Sequence, residues 1–357
     1  MLTKSILMSG AAALIALAGA TAAAAQIKQV GTMDVPGATL DNYDIGFVDH
    51  ATNRYYLADR SNKSIDVFDT KTEKFIGRVE GFVGPMKNGK AAGPAGVLAF
   101  GDEIWAGDGD STVKVADVKT MKITDTIHTG GKFRADEVAY SPKDQVFIVA
   151  NDADEPPFIT LISTRPGHKI IAKLIVERAS DGIEQPYYNA GTGKFYVAIP
   201  ELDKDHKKGG VAVIDPATGK LERIVEVADC RPQGFDGGMG NNAIIGCNAG
   251  SPGSKIPPLM AVWDFKTEKV VATTDTIGGA DMATYSSMLG VYVVGARQGP
   301  TGAAIGVIDA KTNQWVANIP APPNPHSVAA NNNNGHIYVP SAKIDGVGCG
   351  CILIFGQ

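Results

Sequence analysis

A short apolar strand pattern recurs seven times along the chain. Each copy is a five-residue segment rich in Val, Ile and Leu, and five of the seven copies end in Asp. Segments of this kind, bounded by turn residues, are typical of buried β-strands. The copies begin 45 to 52 residues apart, at Ile65–Asp69, Val113–Asp117, Ile159–Ser163, Val211–Asp215, Met260–Asp264, Ile305–Asp309 and Cys351–Phe355.

A second apolar strand precedes each of these copies. After most copies a turn and a more polar strand follow, as in Leu221–Val227, and no window has a convincing helical period. The pattern therefore predicts an all-β chain. The second strands are Tyr55–Ala58, Ile104–Gly107, Phe147–Ala150, Phe195–Ala198, Ala243–Gly246, Tyr292–Gly295 and Ile337–Pro340.

Four short strands in every repeat of this length indicate the blades of a β-propeller. We predict seven four-stranded antiparallel blades in one domain over residues 26–357. The seventh copy ends at Gln357, directly after its third strand, so its outer strand must come from elsewhere. Residues 26–35 resemble the fourth strands of the other repeats, and we expect them to complete the last blade and cover its edge.

The repeated Val-x-Val-Ile-Asp pattern, seen at Val211–Asp215, and the Tyr-Val second strands resemble the YVTN-repeat, YncE-like propellers. The resemblance spans essentially the whole chain after residue 25. It implies a periplasmic seven-bladed propeller, but it does not name a function, because this fold carries binding proteins, lactonases, lyases and redox enzymes.

The first 25 residues differ from the rest. Lys4 is their only charge, Ile6–Ala25 is mainly apolar, and the segment ends in four alanines before Gln26. This pattern predicts a signal peptide over residues 1–25, with a membrane helix as the alternative. We expect a periplasmic or secreted protein that does not span a membrane once this segment is cleaved.

The formal charge of −5 offers no basic surface for nucleic acid or anionic lipid. The chain also lacks a Cys-x-x-Cys-His motif, so covalent haem is not expected. The charge balance favours cations, small polar molecules or other periplasmic proteins as partners of a monomer.

The first positions of the seven inner strands are the main candidate site, because these positions converge on the mouth of the central channel. Four are carboxylates, and a cation or protons must compensate such a cluster. Ca²⁺, Mg²⁺, Mn²⁺ or Zn²⁺ would suit it, whereas a hydrated channel mouth is the alternative. The positions are Asp44, Ala95, Asp136, Glu184, Gln233, Asp281 and His326.

We expect the loops that follow the second strands to reach the mouth of the channel as well. Asn151 joins Asp136, Glu184 and Asp281 as a predicted metal ligand. Arg60, Arg297, Asn248 and Gln233 are predicted to bind a ligand, and the two arginines either hold a substrate carboxylate or pair with the acids of the ring.

Four cysteines fit an oxidising compartment. Cys230 precedes an inner strand and Cys247 ends the neighbouring second strand, so we predict a disulfide between them. Cys349 and Cys351 are separated by one glycine, and either a disulfide or thiolates for a soft metal such as copper would fit them.

Three functions compete. The first is an exported propeller that binds a small polar ligand, a metal ion or a protein at the channel mouth. The second, by distant resemblance to gluconolactonase-type propellers, is a divalent-metal-dependent hydrolase, lactonase or lyase with His326 or Asp44 as general base. The third is a redox protein that uses quinone or copper chemistry near His326. Whether the protein is an enzyme stays open.

Overall fold

The computed structural model describes residues 26–85, 92–249, 255–299 and 301–357. The predicted signal peptide lies outside these residues. Their architecture is seven sheets of four antiparallel strands arranged in a ring, as predicted. Among the described residues there is no helix that could cross a membrane.

Six blades are formed by four consecutive strands each, ordered from the channel outward. They are β2(Tyr43–Asp49), β3(Arg54–Asp59), β4(Ser64–Asp69), β5(Lys74–Glu80); β8(Val97–Phe100), β9(Glu103–Gly107), β10(Thr112–Asp117), β11(Lys122–His128); β12(Val138–Ser141), β13(Val146–Asn151), β14(Phe158–Ser163), β15(Ile170–Ile175); β16(Pro186–Asn189), β17(Lys194–Ile199), β18(Lys208–Asp215), β19(Lys220–Ala228); β20(Pro232–Gly237), β21(Asn242–Cys247), β22(Met260–Asp264), β23(Lys269–Thr274); and β24(Gly278–Ser286), β25(Val291–Gly299), β26(Gly302–Asp309), β27(Gln314–Pro320).

The seventh blade joins the two ends of the chain. Its inner three strands are β28(Ala329–Ala330), β29(Ile337–Ser341) and β30(Cys351–Gly356), and its outer strand is β1(Lys28–Asp34). β1 pairs antiparallel with β30, from Lys28 opposite Gly356 to Asp34 opposite Cys351. The predicted closure is confirmed. A two-stranded ribbon, β6(Gly84–Pro85) with β7(Ala92–Gly93), lies between the first two blades.

Burial explains why the strands of a blade differ in composition. The middle strands are buried almost throughout, because both of their faces meet neighbouring blades. The outer strands alternate between exposed and partly buried positions, as β11 does. The apolar cores therefore lie between blades, and only the ring as a whole buries them.

The repeated aspartates serve the turns, as the sequence indicates. Asp69 Oδ1 accepts hydrogen bonds from the backbone N–H of Lys71 (2.9 Å) and Thr72 (2.7 Å). The backbone bond from Thr72 lowers the pKa of Asp69. Asp117 and Asp309 make equivalent bonds, so these carboxylates stabilise the fold and are not part of the channel.

The inner strands line the channel, and each contacts the next around the ring. Close approach at the mouth depends on Gly234. A Cβ added there would lie 2.3 Å from the carbonyl oxygen of Asp281 and 2.6 Å from the backbone nitrogen of Ala283. Glycine thus lets β20 and β24 meet where Gln233 and Asp281 enter the channel.

Candidate functional site

Ion pairs hold one side of the channel mouth. The buried side chain of Asp44 accepts a hydrogen bond from Arg60, and His326 Nε2 lies 3.5 Å from its second oxygen. Burial acts to raise the pKa of Asp44, but Arg60 and His326 outweigh it and lower that pKa to about 2. Tyr43 stacks on the imidazole of His326 at 4.7 Å between ring centroids. Asp44 is therefore an ionised carboxylate in a rigid setting.

A second ion pair occupies the next acidic position. Arg134 lies 2.7 Å from Asp136 and 2.6 Å from Asp152. Burial raises the pKa of Asp136, although Arg134 opposes the shift. The guanidinium group thus neutralises Asp136 from within the protein, which leaves this carboxylate less available to a metal ion.

A third arginine contacts Asp281. Arg297 donates to Asp281 Oδ2 at 2.6 Å, and its Nε donates to Asn324 Oδ1 at 2.7 Å. Of the two roles that the sequence allowed for Arg60 and Arg297, the structure shows pairing with the acids of the ring.

Three carboxylates converge at the mouth, those of Glu137, Glu184 and the Asp281 that pairs with Arg297. One carboxylate oxygen from each lies within 4.8 Å of the other two. Glu137 follows the predicted Asp136 directly, and its side chain is buried. Burial is the main cause that raises the pKa of Glu137, and the charge of Glu184 is the second. Burial also raises the pKa of Glu184, with the charge of Asp281 as the second cause. We call this cluster the acidic trio.

Two polar atoms at the acidic trio lack protein partners. Within the described ranges, Glu137 Oε2 and Gln233 Oε1 are buried and accept no hydrogen bond. Gln233 Nε2 donates to Glu184 Oε1 at 3.2 Å, so the amide oxygen of Gln233 is the atom without a partner in the described residues. No Lys, Arg or His of the described chain lies within 4.0 Å of Glu137 or Glu184. Buried acceptors of this kind need a proton, an ordered water molecule or a cation as partner.

The acidic trio borders two cavities, because Glu184 lines one of them and Glu137 lines the other. Glu184 and Gln233 line a mouth cavity of about 780 Å³. Glu137 lines a channel cavity of about 560 Å³ that continues toward the opposite face. We call the position of the acidic trio the channel neck. A ligand of the acidic trio is thus accessible from the mouth and adjacent to the channel.

The remaining predicted polar residues are Asn151 and Asn248. Asn151 is buried, and its amide donates to Thr129 Oγ1 (2.9 Å) and Ser111 Oγ (3.2 Å) while its oxygen accepts from Thr160 (3.1 Å). Its side chain is therefore fully used within the blades. The backbone N–H of Asn248 donates to Arg231 O at 3.0 Å.

The cysteines pair as two disulfides. Cys230 bonds to Cys247, with 4.8 Å between their Cα atoms, as predicted. Cys349 bonds to Cys351 across Gly350. In this state neither sulfur of the second pair is a thiolate, so the pair offers no copper ligand.

Sequence reasoning missed Glu137 and Arg134. Both flank Asp136, and the signal was present as two consecutive acids at the start of an inner strand with an arginine two residues before. A shift of one residue along a strand turns the side chain to the other face, and this decides which acid reaches the neck.

No protein-family model matches the chain, and no curated protein matches it. The resemblance to YVTN-repeat propellers therefore stays a prediction, whereas the seven-bladed fold is observed.

Proposed function

We propose that this propeller is an exported protein of the YVTN-repeat type that binds a divalent cation at its channel neck. Glu137, Glu184 and Asp281 supply carboxylate oxygens, and Gln233 supplies an amide oxygen. The observation that carries the proposal is the buried Glu137 Oε2, which has no hydrogen-bond partner in the described residues and belongs to the acidic trio. The two disulfides support an oxidising compartment.

The donor set indicates which cation. All four candidate ligands are hard oxygens, which suit Ca²⁺, Mg²⁺ or Mn²⁺ and are a poor match for Zn²⁺, which favours nitrogen and sulfur. Ca²⁺ accepts six to eight oxygens in a flexible geometry, so water or a ligand oxygen would complete its shell. We expect Ca²⁺ and Mn²⁺ to bind more tightly than Zn²⁺.

The mouth cavity would attract cations. Its wall carries seven acidic side chains against two basic ones, Arg178 and Lys204. A cavity with one sign of charge concentrates counter-ions near the site. The acids are Asp152, Asp154, Glu155, Glu177, Asp181, Glu184 and Asp203.

Calorimetric titration of chelator-treated protein with CaCl₂, MnCl₂ and ZnCl₂ tests the proposal. We expect one Ca²⁺ or Mn²⁺ per chain and at least a tenfold loss of affinity in Glu184→Gln. The matched control is Glu177→Gln, an exposed acid of the same cavity, which should bind as the wild type does. Absence of binding, or equal affinity in Glu184→Gln, would overturn the proposal.

A metal-dependent hydrolase is the second candidate. It is favoured by the pair of His326 and Asp44, in which an ionised carboxylate orients an imidazole near Asp281. The backbone carbonyl of His326 also accepts from the N–H of Met282, the residue after Asp281. The test is hydrolysis of a panel of lactones. Loss of turnover in the His326→Gln variant, and in the wild type treated with EDTA, would support this activity, and turnover that survives both changes would exclude it.

A further inference from the structure

The channel cavity beyond the neck has the size of a small-molecule site. Its volume of about 560 Å³ lies in the range of roughly 300–1,000 Å³ that is typical of ligand pockets. All seven inner strands contribute to its wall, and Glu137 lies at the end nearest the mouth. The proposed cation would therefore border this cavity.

The wall of the channel cavity is mainly apolar and becomes aromatic with distance from the neck. Three of the lining residues that follow within two positions of the mouth residues are aliphatic, namely Ile45, Met282 and Val328. Aromatic rings line the far part, and two of them stack with 3.8 Å between centroids, Phe100 and Tyr140. The other lining rings belong to Phe47, Tyr187, Tyr188 and Tyr285.

Two polar groups of this wall serve the protein itself. Asp236 Oδ2 accepts from the backbone N–H of Tyr285 at 2.8 Å, and Gln185 Oε1 accepts from the N–H of Phe235 at 2.7 Å. Their hydrogen bonds join neighbouring inner strands. A bound molecule would thus meet mainly apolar surface along the cavity and the acidic trio at the neck. Asp49, His50, Asn332 and the hydroxyl of Tyr188, which is buried without a partner in the described residues, supply polar groups elsewhere on the wall.

Charge decides which polar group the molecule carries. Three ionised carboxylates, the Arg297 that pairs with Asp281 and a divalent cation sum to a net charge of zero. An anionic head would add a negative charge to a site that is already balanced, which is costly. A neutral carbonyl or hydroxyl oxygen would complete the cation's shell without that cost.

We propose that the channel cavity binds a neutral amphipathic molecule whose ketone, ester or hydroxyl oxygen faces the cation at the neck and whose aliphatic or aromatic body lies along the apolar wall. This inference rests on the proposed cation site. The ligand of this second site lies in the channel cavity beyond Glu137. Glu137 lines that cavity and does not line the mouth cavity.

A matched pair of probes tests the charge preference. 2-Octanone and heptanoate carry the same six-carbon chain, and they differ in a neutral methyl ketone against a carboxylate. We expect 2-octanone to bind the Ca²⁺-loaded protein at least tenfold more tightly than heptanoate, and at least tenfold more tightly than it binds the chelated protein. Equal or tighter binding of heptanoate, or ketone binding that is indifferent to Ca²⁺, would overturn the proposal.

Two variants test the location. Leu98 and Phe100 are partly buried and line the cavity. Leu98→Trp should fill the cavity and reduce ketone affinity at least tenfold with Ca²⁺ affinity unchanged. Phe100→Ala removes a ring without adding bulk, so it tests the same contact if Leu98→Trp does not fold. Unchanged ketone affinity in a folded variant would place the ligand elsewhere.

The two proposals fail differently in these experiments. Loss of Ca²⁺ binding in the wild type would overturn the cation site and this inference together. Stoichiometric Ca²⁺ binding without any ketone binding would overturn this inference alone.

Discussion

Replacing Glu137 with Gln separates the role of the acidic trio from the general acidity of the mouth. The side chain is buried, and this burial, followed by the charge of Glu184, raises the pKa of Glu137. The amide keeps the size of the carboxylic acid but cannot supply an anionic ligand. We expect the chelated Glu137→Gln protein to be at least as stable as the wild type and to gain little from Ca²⁺.

The size of the effect follows from mass action. A cation at a hundredfold excess over its dissociation constant stabilises the folded state by about 2.7 kcal/mol. Unfolding entropy of about 2.1 cal/mol/K per residue gives roughly 0.7 kcal/mol/K for about 330 residues, so the melting temperature should rise by about 4 °C. In Glu137→Gln the rise should fall below about 1 °C, because affinity drops when one of three carboxylates is lost.

Differential scanning calorimetry of chelated and Ca²⁺-loaded protein measures the stability without the cation and the Ca²⁺-dependent rise in melting temperature. Glu177→Gln is the control, since it removes one exposed carboxylate from the mouth and none from the trio. A full Ca²⁺-dependent rise in Glu137→Gln, or the same loss in Glu177→Gln, would refute the assignment of the cation to the neck.

Three further predictions concern stability. Burial and a neighbouring carboxylate raise the pKa of Asp66 from 3.8 to about 8; the folded state then holds an extra proton between these values, so its stability should fall with rising pH by up to about 1.4 kcal/mol per unit. Urea titrations at pH 5 and pH 8 should give a smaller difference in the free energy of unfolding for Asp66→Asn than for the wild type. An equal difference in the two proteins would contradict this prediction. Asp44→Asn leaves Arg60 buried without its main counter-charge and should cost about 3–5 kcal/mol at pH 7; a loss below about 1 kcal/mol would show that the pair matters little. Cys247→Ala opens a disulfide of sequence separation 17 and should cost about 3 kcal/mol. Cys351→Ala opens one of separation 2 and should cost about 1 kcal/mol, and the reverse order in urea unfolding would contradict the loop-length account.

The fold was predictable because it is a repeat. Seven copies of one strand pattern each need neighbours on both faces, and the missing outer strand at Gln357 pointed to the N-terminal segment. The aspartate of each turn was also predictable, since a carboxylate followed three residues later by Thr is a local signal, as at Asp69. Local pattern and ring closure agree, which is why both predictions are confirmed.

The site was predictable only in part. The strand spacing predicted that Glu184 and Asp281 share the channel mouth, and they do. It did not predict that Glu137, rather than Asp136, completes the trio, because one residue of strand register determines which carboxylate faces the neck. The pairing of Asp136 with Arg134 depends on how far a long side chain reaches, and no periodicity encodes that distance.

Anomalous diffraction from crystals soaked in Mn²⁺ would show directly whether a cation binds at the channel neck. We expect one strong peak at the channel neck, with carboxylate oxygens of Glu137, Glu184 and Asp281 coordinating the ion and Gln233 Oε1 nearby. A neck without a peak, or Mn²⁺ bound only by the exposed acids of the mouth, would contradict it.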